Sequence, residues 1–527
     1  MKNHNGINKL NLLTFSTLIL GVIIITPILF IIIESISLNN FDFSSIFLNY
    51  FNETIQLVIY TSIISIILAV IPAWIITFHE IKHQKIFDLL LILPLAIPGY
   101  IMAFTYADIL GFNGYFDSFL QHYFNKKIEL DVLSIEWLSF FLALSLYPYI
   151  YLTTRVSFKN ISNIYLNLSR NLGLSQIKIF FKIILPLSIP AMFSGTILVI
   201  MEVLNEYGAV NYFGINTFSV GVFKYWFAMD DKSSAILLSF FLLSIVMLLI
   251  AFSQYVKKNK KKINYHIKTS PTNMKKIGGN KIYSIIVYFL LSIPICFGLI
   301  IPLIFIVKNE KKNYHKYEWL ELLNVFTNSI YIALISSIII TITAFFILCV
   351  KRYSNNNSIK IVTKLLSTGY AIPGAVIGLS VMLIIQYLSP NFNFLMGTIT
   401  LLVYAYIFRF IAVAIFPLES SLQQQPLTFD QLGKTLNLST LEVFKKINFP
   451  LSKFAIIASF LLVFIDIFKE LPLTLILRPF NYETLATQAY QYANEEMLSY
   501  SSIFSLCIIT VCSIVIIVSN KNLKQVQ

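Results

Sequence analysis

Leu172-Gly173-Leu174-Ser175, followed by Ile183-Ile184-Leu185-Pro186, returns later in the chain as Leu436-Asn437-Leu438-Ser439, followed by Ile447-Asn448-Phe449-Pro450. Every pair is separated by 264 positions, so that Phe180 falls on Phe444 and Lys182 on Lys446. Each copy is a polar hairpin set between long apolar runs. A hydrophilic hairpin repeated between blocks of apolar helices implies a duplicated chain with two equivalent docking sites for a soluble partner.

The local chemistry of the hairpin is legible. A left-handed residue suits the end of its first helix at Gly173, and Asn437 is the best non-glycine substitute there. Ser175 and Ser439 are placed to cap a second helix, and Ser439 has Glu442 at capping-box spacing. Ile177, Phe180, Phe181 and Ile184 give that helix one apolar face. Pro186 and Pro450 are expected to break the chain before the next apolar run.

Composition sets the solvent. Of 527 residues, 57% are hydrophobic and 12% charged, with a mean hydropathy of +0.76. So few charges cannot cover a soluble surface of this size, and the apolar majority must face lipid. The net charge of +14 does not indicate nucleic acid, because Lys and Arg sit at the ends of apolar runs. Cys296, Cys349, Cys507 and Cys512 lie inside such runs without C-x-x-C spacing or an adjacent His, and read as small buried hydrophobes. The apolar stretch up to Ile33 has no small-residue cleavage site after it, and reads as an uncleaved first membrane helix.

Crossing a ~30 Å hydrocarbon core takes about twenty apolar residues. Such runs fall at about 12–33, 54–78, 87–110, 134–154, 188–210, 234–256, 282–307, 328–350, 361–388, 394–417, 452–475 and 499–519. The fold class is therefore an all-α polytopic membrane protein with about twelve transmembrane helices. Most of the Lys and Arg residues fall on the inner side if the N-terminus is inside, which puts both termini and both hairpins in the cytoplasm. The lysine-rich stretch 257–281 reads as a flexible cytoplasmic linker between halves 1–256 and 282–527. The hairpins occupy about 155–187 and 418–451.

The halves match beyond the hairpin. Pro27-Ile28-Leu29-Phe30 maps on Pro302-Leu303-Ile304-Phe305, and Ala96-Ile97-Pro98-Gly99 on Ala371-Ile372-Pro373-Gly374, both at an offset of 275. The change of offset requires eleven extra residues in the first half, for which Gly111–Asp131 is the natural place. Six helices per half make the repeat parallel, with a pseudo-twofold axis along the membrane normal.

The Gly173, Ile183, Leu185 and Pro186 pattern resembles the Gly-x9-Ile-x-Leu-Pro part of the EAA loop of bacterial ABC importer permeases. Ile447 and Pro450 match in the second copy, where Asn437 and Phe449 replace Gly and Leu. The Glu-Ala-Ala triplet is absent: Asn167-Leu168-Ser169 and Gln431-Leu432-Gly433 stand there. One branch, the fused ferric-iron permeases, is resembled further by Pro94–Tyr100, by Glu206–Gly214, and by Lys469-Glu470-Leu471-Pro472 continuing to Arg478-Pro479-Phe480. The resemblance implies that the hairpins, with Gly173, Ser175, Phe180, Ile183, Leu185, Pro186, Asn437, Ser439, Phe444, Ile447 and Pro450, dock into an ATPase subunit. It further implies two ATPase copies, a periplasmic or extracellular binding protein, a bacterial inner membrane, alternating access and ferric iron as cargo. Thiamine, or another small solute, is the alternative cargo. No G-x-x-x-x-G-K-[ST] loop occurs in the sequence, so the chain cannot hydrolyse ATP alone. The resemblance implies a transport subunit that is not an enzyme and binds no cofactor itself, with ATP and Mg on the partner ATPase.

An acid pair four residues apart follows each hairpin: Glu202 with Glu206, and Asp466 with Glu470, again offset by 264. That spacing puts each pair on one helix face, and the pseudo-twofold could gather four carboxylates around one passage, which would suit a hard trivalent cation that prefers oxygen ligands. Against this, Asp466 and Glu470 lie about 24 and 30 Å along a helix counted from Pro450. That count places them near the outer surface, solvated or with Glu470 paired to Lys469 or Arg478. Pro98-Gly99 and Pro373-Gly374 break apolar runs, either as cavity-lining irregularities or as ordinary kinks. The outer segments 214–226 and 481–492 could form a gate or serve as aromatic anchors.

Two other classes compete with this reading. His79-Glu80-Ile81-Lys82-His83 fits the H-E-x-x-H zinc-protease pattern, but it lies in a charged loop, lacks a third ligand, and leaves the duplication unexplained. No metal site is expected. A secondary transporter also has twelve helices but no need of two docking hairpins.

Overall fold

The structure is a computed structural model that describes residues 2–38, 45–112, 114–125, 130–161, 169, 171, 173–260, 281–313, 318–354, 356–388, 390–436, 438 and 440–526. Asn437, Ser439 and most of the basic linker lie outside the described residues. Among those described, the regular elements are all helices. Nine of the described helices are long and apolar enough to cross a membrane. Three further pairs, bent by 91°, 116° and 62°, bring the number to twelve if each pair is one crossing. The apolar runs of the sequence thus become a polytopic helical bundle.

The two halves are built alike. Ser45–Phe78 packs along Ile135–Lys159, and their counterparts Trp319–Tyr353 and Ile399–Gln424 pack along each other. Each of these helices also holds the one that follows the hairpin of its half, Leu185–Asn205 or Lys453–Phe468. With no hydrophobic drive between helices in lipid, close packing and interhelical hydrogen bonds set these contacts.

The first helix of each half lies on the other half. Lys2–Ser37 packs on Asn357–Leu366 and Gly374–Leu388, and Lys281–Ile295 packs on Ser45–Phe78 and Gln84–Ile92. Gly21 makes the first crossing close, since a Cβ there would drive into the side chain of Val362. The halves are therefore interlocked rather than merely tethered.

Two sequence expectations need correction. Pro186 does not break the chain: Gln176–Ile179 runs through a π-helical turn, Phe180–Ile184, straight into Leu185–Asn205. A π turn interrupts the regular hydrogen-bond ladder, so the missing N–H of a proline costs little beside it and the ring has room. Pro450 behaves as expected, with a 62° bend beside it at Ser452. The runs 188–210 and 452–475 also end early as helices, at Asn205 and Phe468. Their last residues form the short helices Gly208–Tyr212 and Pro472–Leu477.

Within the stretch 111–131 of the first half, the described residues include the helix Tyr115–Phe124. Among the described residues, the second half has the 3₁₀ turn Pro390–Leu395 at that place.

Candidate functional site

The acid pairs sit where the post-hairpin helices stop. Glu206 has left the helix with extended backbone, and its Oε1 accepts a hydrogen bond from Ala209 N at 3.1 Å. Glu470 Oε1 accepts one from Leu473 N at 3.0 Å. Each carboxylate thus caps the short helix that begins just beyond it, satisfying an orphan donor and facing the positive helix end. The duplication has kept the geometry as well as the residues.

The helix breaks meet the same acids. A Cβ on Gly99 would lie 2.9 Å from Glu206 Oε2, and one on Gly374 would lie 2.9 Å from Glu470 Oε1. Glycine at each break lets backbone approach carboxylate. Across the halves, Asn205 Oδ1 accepts a hydrogen bond from Gly374 N at 2.8 Å. Pro98 and Gly99 line the cavity beside these acids, whereas Gly374 stands beside Arg409 and Glu470 and, like Pro373, is not part of that lining.

Between these elements lies a cavity of about 60 Å³, lined by Glu202, Glu206, Asp466, Glu470, Arg409 and Lys469. Asn205, Tyr100, Tyr149 and Tyr370 also face it. All four predicted acids are brought together here, buried or half-buried. The expectation that Asp466 and Glu470 are solvated is corrected: Glu470 is buried, and Asp466 is half-buried beside Lys469. The carboxylates share the cavity without forming a finished coordination sphere: among the described residues, no three His, Cys, Asp or Glu side chains are grouped to hold a metal ion.

The partners differ between the halves. Arg409 Nη1 stands 3.1 Å from Glu470 Oε1, with both side chains buried. Lys469 Nζ stands 3.3 Å from Asp466 Oδ1. The expected pairing of Glu470 with Lys469 or Arg478 does not occur, and Arg478 pairs with Glu483. In the first half Glu202 Oε1 accepts hydrogen bonds from Tyr370 and, at 3.5 Å, from Tyr149. The same 264-residue shift puts Ser145 opposite Arg409 and Asn205 opposite Lys469. Both lining cations therefore come from the second half, and four carboxylates face two positive charges.

Arg409, Tyr149, Tyr370 and Asn205 belong to none of the sequence motifs described above. A lone arginine within the apolar run 394–417 is a signal by itself, since membrane-embedded charge is costly and seldom idle. The tyrosines carry no such mark among 29 in the chain.

The first hairpin has the expected turn and cap, but its four apolar residues do not share one face: two are exposed and two pack inward. Gly173 is left-handed at φ 72°, and Ser175 Oγ accepts from Lys178 N at 3.5 Å. Ile177 and Phe181 are 65% and 61% exposed, whereas Ile184 is buried and Phe180 packs on Trp74 at 4.9 Å. Ile183 and Leu185 are half-buried and Pro186 is exposed. In the second copy Phe444 packs at 5.1 Å on Phe345, Ile447 is half-buried, and Phe449 is half exposed.

The H-E-x-x-H segment is not helical. His79 is buried against Trp74, while His83 is exposed at φ 58°, so the two do not share a face. Among the described residues the four cysteines form no disulfide. Thr217 and Thr484 both precede short helices, and Thr484 closes a capping box with Thr487.

Comparison with known proteins agrees with this architecture. A family model described as binding-protein-dependent transport system inner membrane component matches residues 79–262 and again 350–525. An Fe(3+)-transport system permease protein of Haemophilus influenzae, FbpB 2, is 24% identical over 512 residues, covering 94% of this chain and 95% of that protein. The molybdenum transport system permease protein ModB of the same organism is 24% identical over 221 residues, 40% of this chain and 93% of that protein. The sulfate transport system permease protein CysT of Salmonella typhimurium is 28% identical over 149 residues, 28% of this chain and 52% of that protein.

Proposed function

Because the chain belongs to the family of binding-protein-dependent transport system inner membrane components, we propose that it is the fused permease of an ATP-driven importer of ferric iron. Both halves lie in one polypeptide, as in the full-length Fe(3+)-transport relative, whereas the molybdenum and sulfate relatives match less than half of the chain. A solute-binding protein delivers the ion to one face. Two ATPase copies engage the hairpins on the other, through Ile177 and Phe181 in the first copy. The lysine and arginine distribution puts that face, and both termini, in the cytoplasm. ATP-driven closure of the ATPases then moves the hairpins, and the halves rock about the cavity between them.

The observation that carries the cargo assignment is the charge of that cavity. Four carboxylates against two cations suit a hard cation and repel the oxyanions that sulfate and molybdenum permeases handle.

The test is ATP-dependent uptake of radiolabelled ferric iron into proteoliposomes holding the permease, ATPase and binding protein. Uptake that falls in Glu202→Gln while the ATPase still co-purifies supports the reading. Uptake of thiamine or molybdate in place of iron overturns the cargo and leaves the architecture.

A further inference from the structure

The sequence draws attention to the acids, but the cavity has a second class of oxygen donor. We propose that the phenol oxygens of Tyr149 and Tyr370, together with the carboxylates of Glu202 and Asp466, form the transit site for the ion and make it selective for the trivalent state. The inference rests on the reading that iron crosses this cavity.

Three observations support it. Tyr149 and Tyr370 both direct their hydroxyls to one oxygen of Glu202, so the three groups already converge on a point. Asp466 lines the same space. Tyr100, also lining it, is 3% exposed, and its hydroxyl has no hydrogen-bond partner among the described residues. A buried hydroxyl left unpaired costs roughly 1–3 kcal/mol, and an oxygen-seeking ligand in the cavity would relieve that cost.

The charges select the ion. A phenol that ligates gives up its proton to water on binding. A trivalent ion held by two phenolates and two carboxylates leaves one negative charge on these four donors, which the Lys469 ammonium beside Asp466 balances; Glu206, engaged with Ala209 N–H, lines the cavity outside that set. A divalent ion at the same four donors leaves one more. The other cation lining the cavity, Arg409, is taken by Glu470 and cannot meet it. The phenols therefore act as the valence filter, and Lys469 as its counterweight.

The donors are also divided. Tyr149 and Glu202 stand on helices of the first half, Tyr370 on the 3₁₀ turn Gly369–Ala371 and Asp466 on Lys453–Phe468 of the second. A site shared two and two is assembled or dispersed by any movement of one half against the other. Release then needs no separate device.

The test is a visible-absorption titration of the permease–ATPase complex in nanodiscs with ferric nitrilotriacetate. Phenolate bound to ferric iron gives a charge-transfer band in the visible, and gallium(III) at the same site gives none. Wild type is expected to gain a saturable band that gallium(III) suppresses. Tyr149→Phe/Tyr370→Phe is expected to lose the band and to bind iron about 10- to 100-fold more weakly, the loss typical when a supporting group of a metal site is removed. Tyr151→Phe, whose hydroxyl instead serves Asp88, should keep it. A band that persists in the double variant overturns the proposal. Wild type that takes up iron without any band overturns it too, and leaves iron passing on carboxylates alone. Neither uptake nor band removes the cargo reading as well.

Discussion

Asn205 and Gly374 are joined across the two halves of the molecule, the side-chain oxygen of one accepting the backbone N–H of the other at 2.8 Å. The bond ties the end of the first post-hairpin helix to the helix break of the opposite half. Asn205→Leu leaves that N–H buried and unpaired, at a cost of about 1–3 kcal/mol. A lower thermal unfolding temperature of the purified protein is the expected result, with Asn205→Asp, which keeps the acceptor, recovering most of it.

Arg409 and Glu470 form a buried pair, with side chains 4% and 5% exposed. Removing one partner strands the other charge, which typically costs about 3–5 kcal/mol. Arg409→Met should therefore fold poorly, and Arg409→Met/Glu470→Gln should fold better than the single variant. Monodispersity of wild type and both variants in size-exclusion chromatography checks this. A double variant no better than Arg409→Met would mean that Arg409 acts by packing and not by charge.

Glu206 has two roles that substitution can separate. Glu206→Gln keeps an oxygen for Ala209 N–H but loses the charge, whereas Glu206→Ala loses both. Loss of a helix cap costs about 0.5–2 kcal/mol, so only the alanine variant should unfold at lower temperature. Both should lose iron uptake. Normal uptake in the glutamine variant would leave Glu206 a structural cap alone.

Ile177 and Phe181 project from the first hairpin into solvent. Phe181 keeps one edge-on ring contact, with Phe180 at 5.0 Å, and such a pair is worth about 0.5–1.5 kcal/mol, too little to unfold the protein. Phe181→Asp should thus leave the permease folded while abolishing co-purification of the ATPase. Retained ATPase would move the docking surface elsewhere.

Much of this architecture is legible in the residue order because duplication writes the same constraint twice. The 264-residue offset alone marks the acids and the hairpins, since both copies must solve one geometric problem. Hidden from such a reading is whatever the two copies do differently. Lys469 and Arg409 have the uncharged partners Asn205 and Ser145, so a search for repetition passes over them. Tyr370 meets Glu202 only once the halves are assembled, and no local pattern encodes such a meeting. The continuous run through Pro186 escapes for another reason: a π turn has no strong signature in residue type, and proline at a helix start is compatible with either outcome. The interlocked first helices are likewise a property of the whole bundle.

The uneven placement of Lys469 and Arg409 bears on why both halves share one polypeptide. A twin of the first half would face its cavity with four acids and no base. A twin of the second would set four acids against four bases and hold no surplus for a cation. Only the mixed pair leaves an excess of two acids. Covalent fusion guarantees that every assembled particle has that mixture, and forbids the self-paired forms that separate genes of similar sequence would produce. Fusion is in this sense a device of stoichiometry: it secures the electrical balance of a cavity whose walls are drawn from both halves of the chain.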